Sequence, residues 1–340
     1  MTRITTSRYA WVDAARAFAI VLVVLDHSLN WLTPVGLTAP WWHDMKHLFT
    51  SMRMPLLFTV SGIFAIKWVA APWHSLLTKK VQFFIWIFLI WAAIGALVLP
   101  LGEAVQGNDR TLISRIGVFV LAPVRPTGEL WFIWALVLYF IAVRLMCRVP
   151  IAVQLVLASV IGVVGWVLPV INVGWSGAPK YFFFFLVGIY LREKIFRLQG
   201  QLAGPWGAVA FGSWAVLAVV VWRVANNSPW VGLLSVLGVV AGIAIAGQLA
   251  RVPMIHQVGQ STLPIYLAHT PIIILVVWAL WKLNFEVIDW MPVIFPFGVA
   301  IIAIAGSLGL ERVVRNSPFK YIFEMPPVLG RLPFGSIGRS

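Results

Sequence analysis

Charge is what this 340-residue sequence has least of. Only 11% of its residues are Asp, Glu, Lys or Arg, against about 25% in a typical soluble domain, so it cannot furnish an ordinary water-facing surface. Acids are scarcer still, 11 against 25 bases. The single cysteine, Cys147, excludes an intramolecular disulfide and any cysteine-based metal cluster. No glycine-rich phosphate loop, His-Glu-x-x-His or Gly-x-Ser-x-Gly elbow occurs, which argues against P-loop, zinc-peptidase and serine-hydrolase chemistry. Gly259-Gln260-Ser261 comes nearest to the elbow but continues Thr262-Leu263. The longest polar stretches, Leu101–Glu129 and the residues after Leu310, are too short and too polar to build a core of their own.

What fills the sequence is apolar: 61% hydrophobic residues, with 19 Trp. The apolar residues come in runs near the length that crosses a ~30 Å hydrocarbon core. The runs lie at 14–31, 49–67, 82–101, 129–146, 151–171, 181–191, 206–222, 230–249, 263–281 and 291–310. The sixth reads as short for a full crossing, and the apolar stretch 111–123 as a re-entrant or interfacial segment. The expected fold class is all-α: a polytopic membrane helical bundle of about ten transmembrane helices. Residues 1–310 form the membrane domain and 311–340 a short basic tail. Arg3, Arg8 and Arg16 stand ahead of an apolar stretch whose exit, Ser28-Leu29-Asn30-Trp31, offers no small-residue cleavage site, so it reads as a first span rather than a cleaved signal.

Charge orients the bundle, because Lys and Arg gather on the cytoplasmic side. With both termini cytoplasmic, 17 of the 25 basic residues fall inside and 8 outside, while 4 of the 11 acids fall inside and 7 outside. Topology beside anionic lipid therefore accounts for nearly all of the net charge of +14. Nucleic acid is not needed as a partner; the bilayer is.

Ionisable residues inside apolar runs are costly and point to function. Arg16 and His27 have ten residues between them, and at about 100° per residue the eleven steps end within ~20° of whole turns, about 16 Å along one helix face. An anion-binding group near the cytoplasm and a potential general base deep in the outer half thus share one track. Asp26 adjoins His27, but neighbouring helical residues do not face each other, so no dyad is assumed. Arg53 lies one turn inside the second run, ahead of Pro55, Ser61 and Gly62, small or helix-breaking residues that suit close helix packing. Lys79 and Lys80 precede the third run as anchors or phosphate ligands. Glu129 and Trp131 open the fourth at the outer interface, and Tyr266 and His269 share a face of the ninth ahead of Pro271. His43 and His47 flank Asp44 in an outer loop, but without a third ligand no metal is expected.

Taken in order, these segments resemble the integral-membrane acyltransferases of the acyltransferase-3 family. The matching features are Arg16 and His27, Arg53-Met-Pro55-Leu-Leu-Phe-Thr-Val-Ser61-Gly62, and Lys79-Lys80. They continue with Gly128-Glu129-Leu130-Trp131-Phe132, Phe184-Phe185-Leu186-Val-Gly188 and Ser261-Thr-Leu-Pro-Ile-Tyr266-Leu-Ala-His269, and cover roughly residues 10–310. The segment after Pro55 and the acid at Glu129 depart from commoner members. The resemblance implies transfer of an acyl group, usually acetyl, from cytoplasmic acyl-coenzyme A to a hydroxyl of an envelope glycan or glycolipid in a bacterial inner membrane. It implies catalytic roles for His27, Arg53 and His269, with Arg16, Lys79 and Lys80 toward coenzyme A and Glu129, Trp131 and Tyr266 toward the acceptor. The residues alone leave a transporter or flippase, and a non-catalytic envelope scaffold, as rival classes.

Overall fold

The first helix stands at the centre of the bundle, which is unusual for a helix bearing Arg, Asp and His. The computed structural model describes residues 7–108, 111–126, 128–168, 172–225, 229–285 and 288–329. Part of the N-terminal basic segment, including Arg3, and the end of the basic tail beyond residue 329 lie outside the described residues. Among the described residues there are helices and turns but no strand.

Thirteen helices are numbered here in chain order. They are α1 Ser7–Leu32, α2 Trp41–Val69, α3 Trp73–Val105, α4 Leu112–Leu121, α5 Trp131–Leu145, α6 Ile151–Val167 and α7 Val173–Tyr190. There follow α8 Arg192–Gln201, α9 Pro205–Ala225, α10 Pro229–Leu249, α11 Pro253–Gln260, α12 Thr262–Lys282 and α13 Met291–Val314. Seven are long and apolar enough to cross a membrane: α2, α3, α5 with the turn before it, α9, α10, α12 and α13. Three more coincide with apolar runs. Of these, α6 has 17 residues, while α1 and α7 interrupt their apolar residues with Arg16, Asp26 and His27 and with Lys180. The helix at the sixth run is longer than the run itself: α7 begins at Val173 and has 18 residues, though it is not among the seven apolar enough to cross. Its first half was hidden because Gly174, Gly177 and Pro179 dilute the apolar signal. The stretch 111–123 forms the ten-residue α4, capped by the Thr111 hydroxyl, which accepts from the Ser114 amide.

Helix α1 touches α2, α10, α11, α12 and α13, and α7 packs along α2 and α6. Small residues permit the closest crossings. A side chain at Gly188 of α7 would strike the Thr59 carbonyl and come within 2.9 Å of the Gly62 Cα, and one at Gly62 would strike the Phe185 carbonyl. Without a hydrophobic drive between helices in lipid, such backbone proximity supplies the dispersion contact that joins them. Pro55 leaves the Ser51 carbonyl without an intrahelical donor, and Gly238 of α10 packs directly on that carbonyl.

The tail is not free. After the turn Pro318–Ile322, its backbone carbonyls accept bonds from side chains of α3: Trp86 Nε1 donates to Tyr321 at 2.9 Å, Trp91 Nε1 to Ile322 at 2.7 Å and Gln82 Nε2 to Leu329 at 2.7 Å. Two tryptophans in a membrane-length helix are thus committed to holding the turn at 321–324 rather than to an interfacial belt.

Candidate functional site

The outer half of α1 meets α2 through an ion pair. The Arg53 Nη1 donates to Asp26 Oδ1, and the two side chains are only 14% and 7% exposed. Partnering is obligatory here, because a buried charge left alone is strongly destabilising. The other Asp26 oxygen stands 3.7 Å from His27 Nδ1, too long for a hydrogen bond but close enough to stabilise positive charge on the imidazole.

His27 is the reachable member of a histidine pair. Its ring lies 5.0 Å from that of His269 on α12, the planes tilted by 54°. His269 is fully buried, its Nδ1 3.0 Å from the Ile265 carbonyl and its Nε2 without a partner. Tyr266 stands 6.2 Å from His269, ring to ring, and donates its hydroxyl to the backbone carbonyl of Glu129. That bond ties α12 to the turn Gly128–Leu130, where Gly128 adopts φ +57°, a left-handed conformation that glycine takes without strain.

Two cavities flank this turn, and Gly128 lines both. The larger, about 440 Å³, is bounded by Asp26, His27 and Asn30 of α1, Arg53 of α2, Trp131 of α5 and Ser176, Lys180 and Tyr181 of α7. Beneath it Phe58 stacks on Tyr181 at 5.6 Å and stands 5.8 Å from Trp131, giving the floor a fixed aromatic shape. The smaller, about 260 Å³, lies against α3 and α4 and receives the neighbouring side chains of Glu129 and Thr270.

At the other end of α1 the charges are looser. Arg16 stands 3.9 Å from Asp13, with its guanidinium 3.9 Å above the Phe64 ring. Lys67 and Lys80 approach the Trp68 ring to 5.4 and 5.6 Å, and Lys67 and Arg16 both lie within electrostatic reach of Lys80. Lys79 is exposed. The structure therefore divides the adjacent lysines: Lys80 joins Arg16, and Lys79 does not.

His27, Arg53 and Trp131 thus meet on the wall of the larger cavity, with His269 and Tyr266 of α12 beside them, whereas Glu129 lines the smaller cavity across Gly128. Sequence reasoning overlooked Asp26 as the partner of Arg53, Lys67 beside Lys80, and Lys180 in the cavity wall. For Lys180 the available signal was an ionisable residue heading Tyr181-Phe-Phe-Phe-Phe. The histidines His43 and His47 pair at 3.2 Å between ring nitrogens.

A bundle of membrane-length helices that buries an acid–guanidinium pair beside two imidazoles at a cleft has the character of an integral-membrane protein with a polar site among its helices. The family model described as an acyltransferase domain, that of the acyltransferase-3 family, matches residues 9–312, and the chain belongs to that family. It is similar to the inner membrane protein YcfT of Escherichia coli K12, at 21% identity over 94% of this chain and 96% of the relative. It also resembles the nodulation protein NolL of Mesorhizobium japonicum, at 25% identity over 42% of this chain and 37% of that protein. No solved structure matches it.

Proposed function

We propose that the protein crosses the inner membrane ten times with both ends cytoplasmic, and that it moves an acyl group, acetyl by preference, from cytoplasmic acyl-coenzyme A to a hydroxyl of an envelope glycan or glycolipid. Membership of the acyltransferase family supports the reaction class. The observation that carries the assignment of roles is the placing of His27, beside Asp26 and His269, on the wall of a 440 Å³ cavity, at the far end of the helix that bears Arg16.

Coenzyme A presents phosphates at one end and a thioester at the end of a long flexible arm. Arg16, Lys67 and Lys80 suit the phosphates through charge-assisted hydrogen bonds, and α1 carries the arm about 16 Å outward to His27. There the acceptor oxygen attacks the thioester carbonyl carbon while the His27 imidazole takes the hydroxyl proton. Asp26 stabilises the imidazolium so formed. Arg53 keeps donors beyond the one given to Asp26, and these serve the oxyanion of the tetrahedral intermediate. Collapse breaks the carbon–sulfur bond, and the coenzyme A thiolate leaves with the proton from His27. His269 supports the His27 ring from behind, and Trp131 faces the acceptor, with Glu129 in the neighbouring cavity across Gly128.

The test is consumption of acetyl-coenzyme A by the purified full chain given an envelope glycan extract, with acyl-sized mass gain on the glycan. A His27→Ala protein that folds and transfers acyl groups at the native rate would sink the mechanism.

A further inference from the structure

The wall of the larger cavity holds one cation too many. Arg53 is matched by Asp26, whereas Lys180, half-buried on the same wall, has no carboxylate within ion-pair distance among the described residues. Its ammonium donates to the Ser176 hydroxyl at 3.0 Å and sits 4.5 Å from the Trp166 ring. Both are neutral, so the charge is steadied but not cancelled. Lys180 lies seven residues into α7, about 10 Å below its outer end, at a depth where an unmatched charge is costly. Nor is its stem free to swing toward the headgroups. The bare backbone of Gly165 on α6 lies close beside the start of the Lys180 side chain, where an added methyl group would stand 3.3 Å from its Cγ, and Trp166 lies against its tip.

We propose that the acceptor is an anionic polyol or sugar, carrying a phosphate or carboxylate that Lys180 binds. The proposal rests on the acyltransferase reading of this site and deepens it. A carboxylate or phosphate in the cavity supplies the countercharge that the protein withholds, through a charge-assisted bond to a half-buried ammonium. Ser176, on the same wall, offers a hydrogen bond to a hydroxyl, and Trp131 offers a ring face to a sugar.

Glucose, glucose 6-phosphate and glucuronate serve as probe acceptors for the full chain in detergent, with two readouts: acetyl-coenzyme A consumption, and equilibrium dialysis of each labelled probe without coenzyme A. The anionic probes are expected to bind and react with dissociation constants and KM values at least about tenfold below those of glucose, the effect of one ion-paired hydrogen bond. Lys180→Gln is expected to bring that ratio near one, and Lys180→Arg to keep most of it. Preference for only one of the anions identifies phosphate or carboxylate as the recognised group. An unchanged ratio in Lys180→Gln, or no preference in the unaltered protein, overturns the proposal. Lys180-dependent anion binding without any acetyl-coenzyme A consumption upholds the anion site and overturns the acyltransferase reading.

Discussion

The two ends of α1 handle charge in opposite ways. At the outer end Asp26 and Arg53 are locked together and almost wholly buried, with His27 and His269 set around them. At the inner end Arg16 keeps Asp13 at 3.9 Å and shares its neighbourhood with Lys67 and Lys80, spaced around aromatic rings rather than neutralised. A fixed pair orients groups for chemistry, since its geometry does not relax when charge develops. A loose cationic cluster suits a mobile polyanion, because binding it relieves the repulsion among the cations. The comparison teaches that the helix separates positioning from capture, at a distance set by its own rise.

The largest effect that would break this contrast is at the locked end. Arg53→Ala leaves Asp26 as an unpaired buried charge and is expected to destabilise the fold by about 3–5 kcal/mol, seen as aggregation or a lower unfolding temperature in detergent. Combining Asp26→Leu with Arg53→Met should recover most of that stability but no activity, which separates the structural from the chemical part of the pair. His27→Ala should fold normally and lose about 10²–10⁴-fold in transfer rate, the usual worth of a general base. At the loose end Lys80→Ala should raise the KM for acetyl-coenzyme A about tenfold with kcat unchanged, whereas Lys79→Ala should leave both unchanged. Equal effects of the two lysines would refute their separation. The smallest change is Tyr266→Phe, which removes the bond to the Glu129 carbonyl. A loss of about 1 kcal/mol in stability is expected, together with greater hydrogen exchange at the Gly128–Leu130 turn.

Most of the helical layout was legible because membrane spans announce themselves locally: each of the ten apolar runs falls on a helix. The failures were local too. The start of α7 was missed because Gly174, Gly177 and Pro179 serve packing rather than hydropathy; Gly165 of α6, for instance, lies against Pro179. Nothing in the sequence around Trp86 and Trp91 reveals that they bind carbonyls more than 200 positions away. At the site, Arg53, His27 and His269 stood out as ionisable residues in apolar surroundings. Asp26 stood out as well, but its partner lay on another helix.

By itself the sequence determined the helical class, the approximate spans and the shared face of Arg16 and His27, because hydropathy and the helical repeat act over a few turns. Only the tertiary structure decided that Asp26 serves Arg53, that His27 rather than His269 faces the cavity, that Lys80 rather than Lys79 joins Arg16, and that Lys180 goes unmatched. Those are facts about which helix faces press together, and they depend on glycine contacts and interhelical pairings that no single helix encodes.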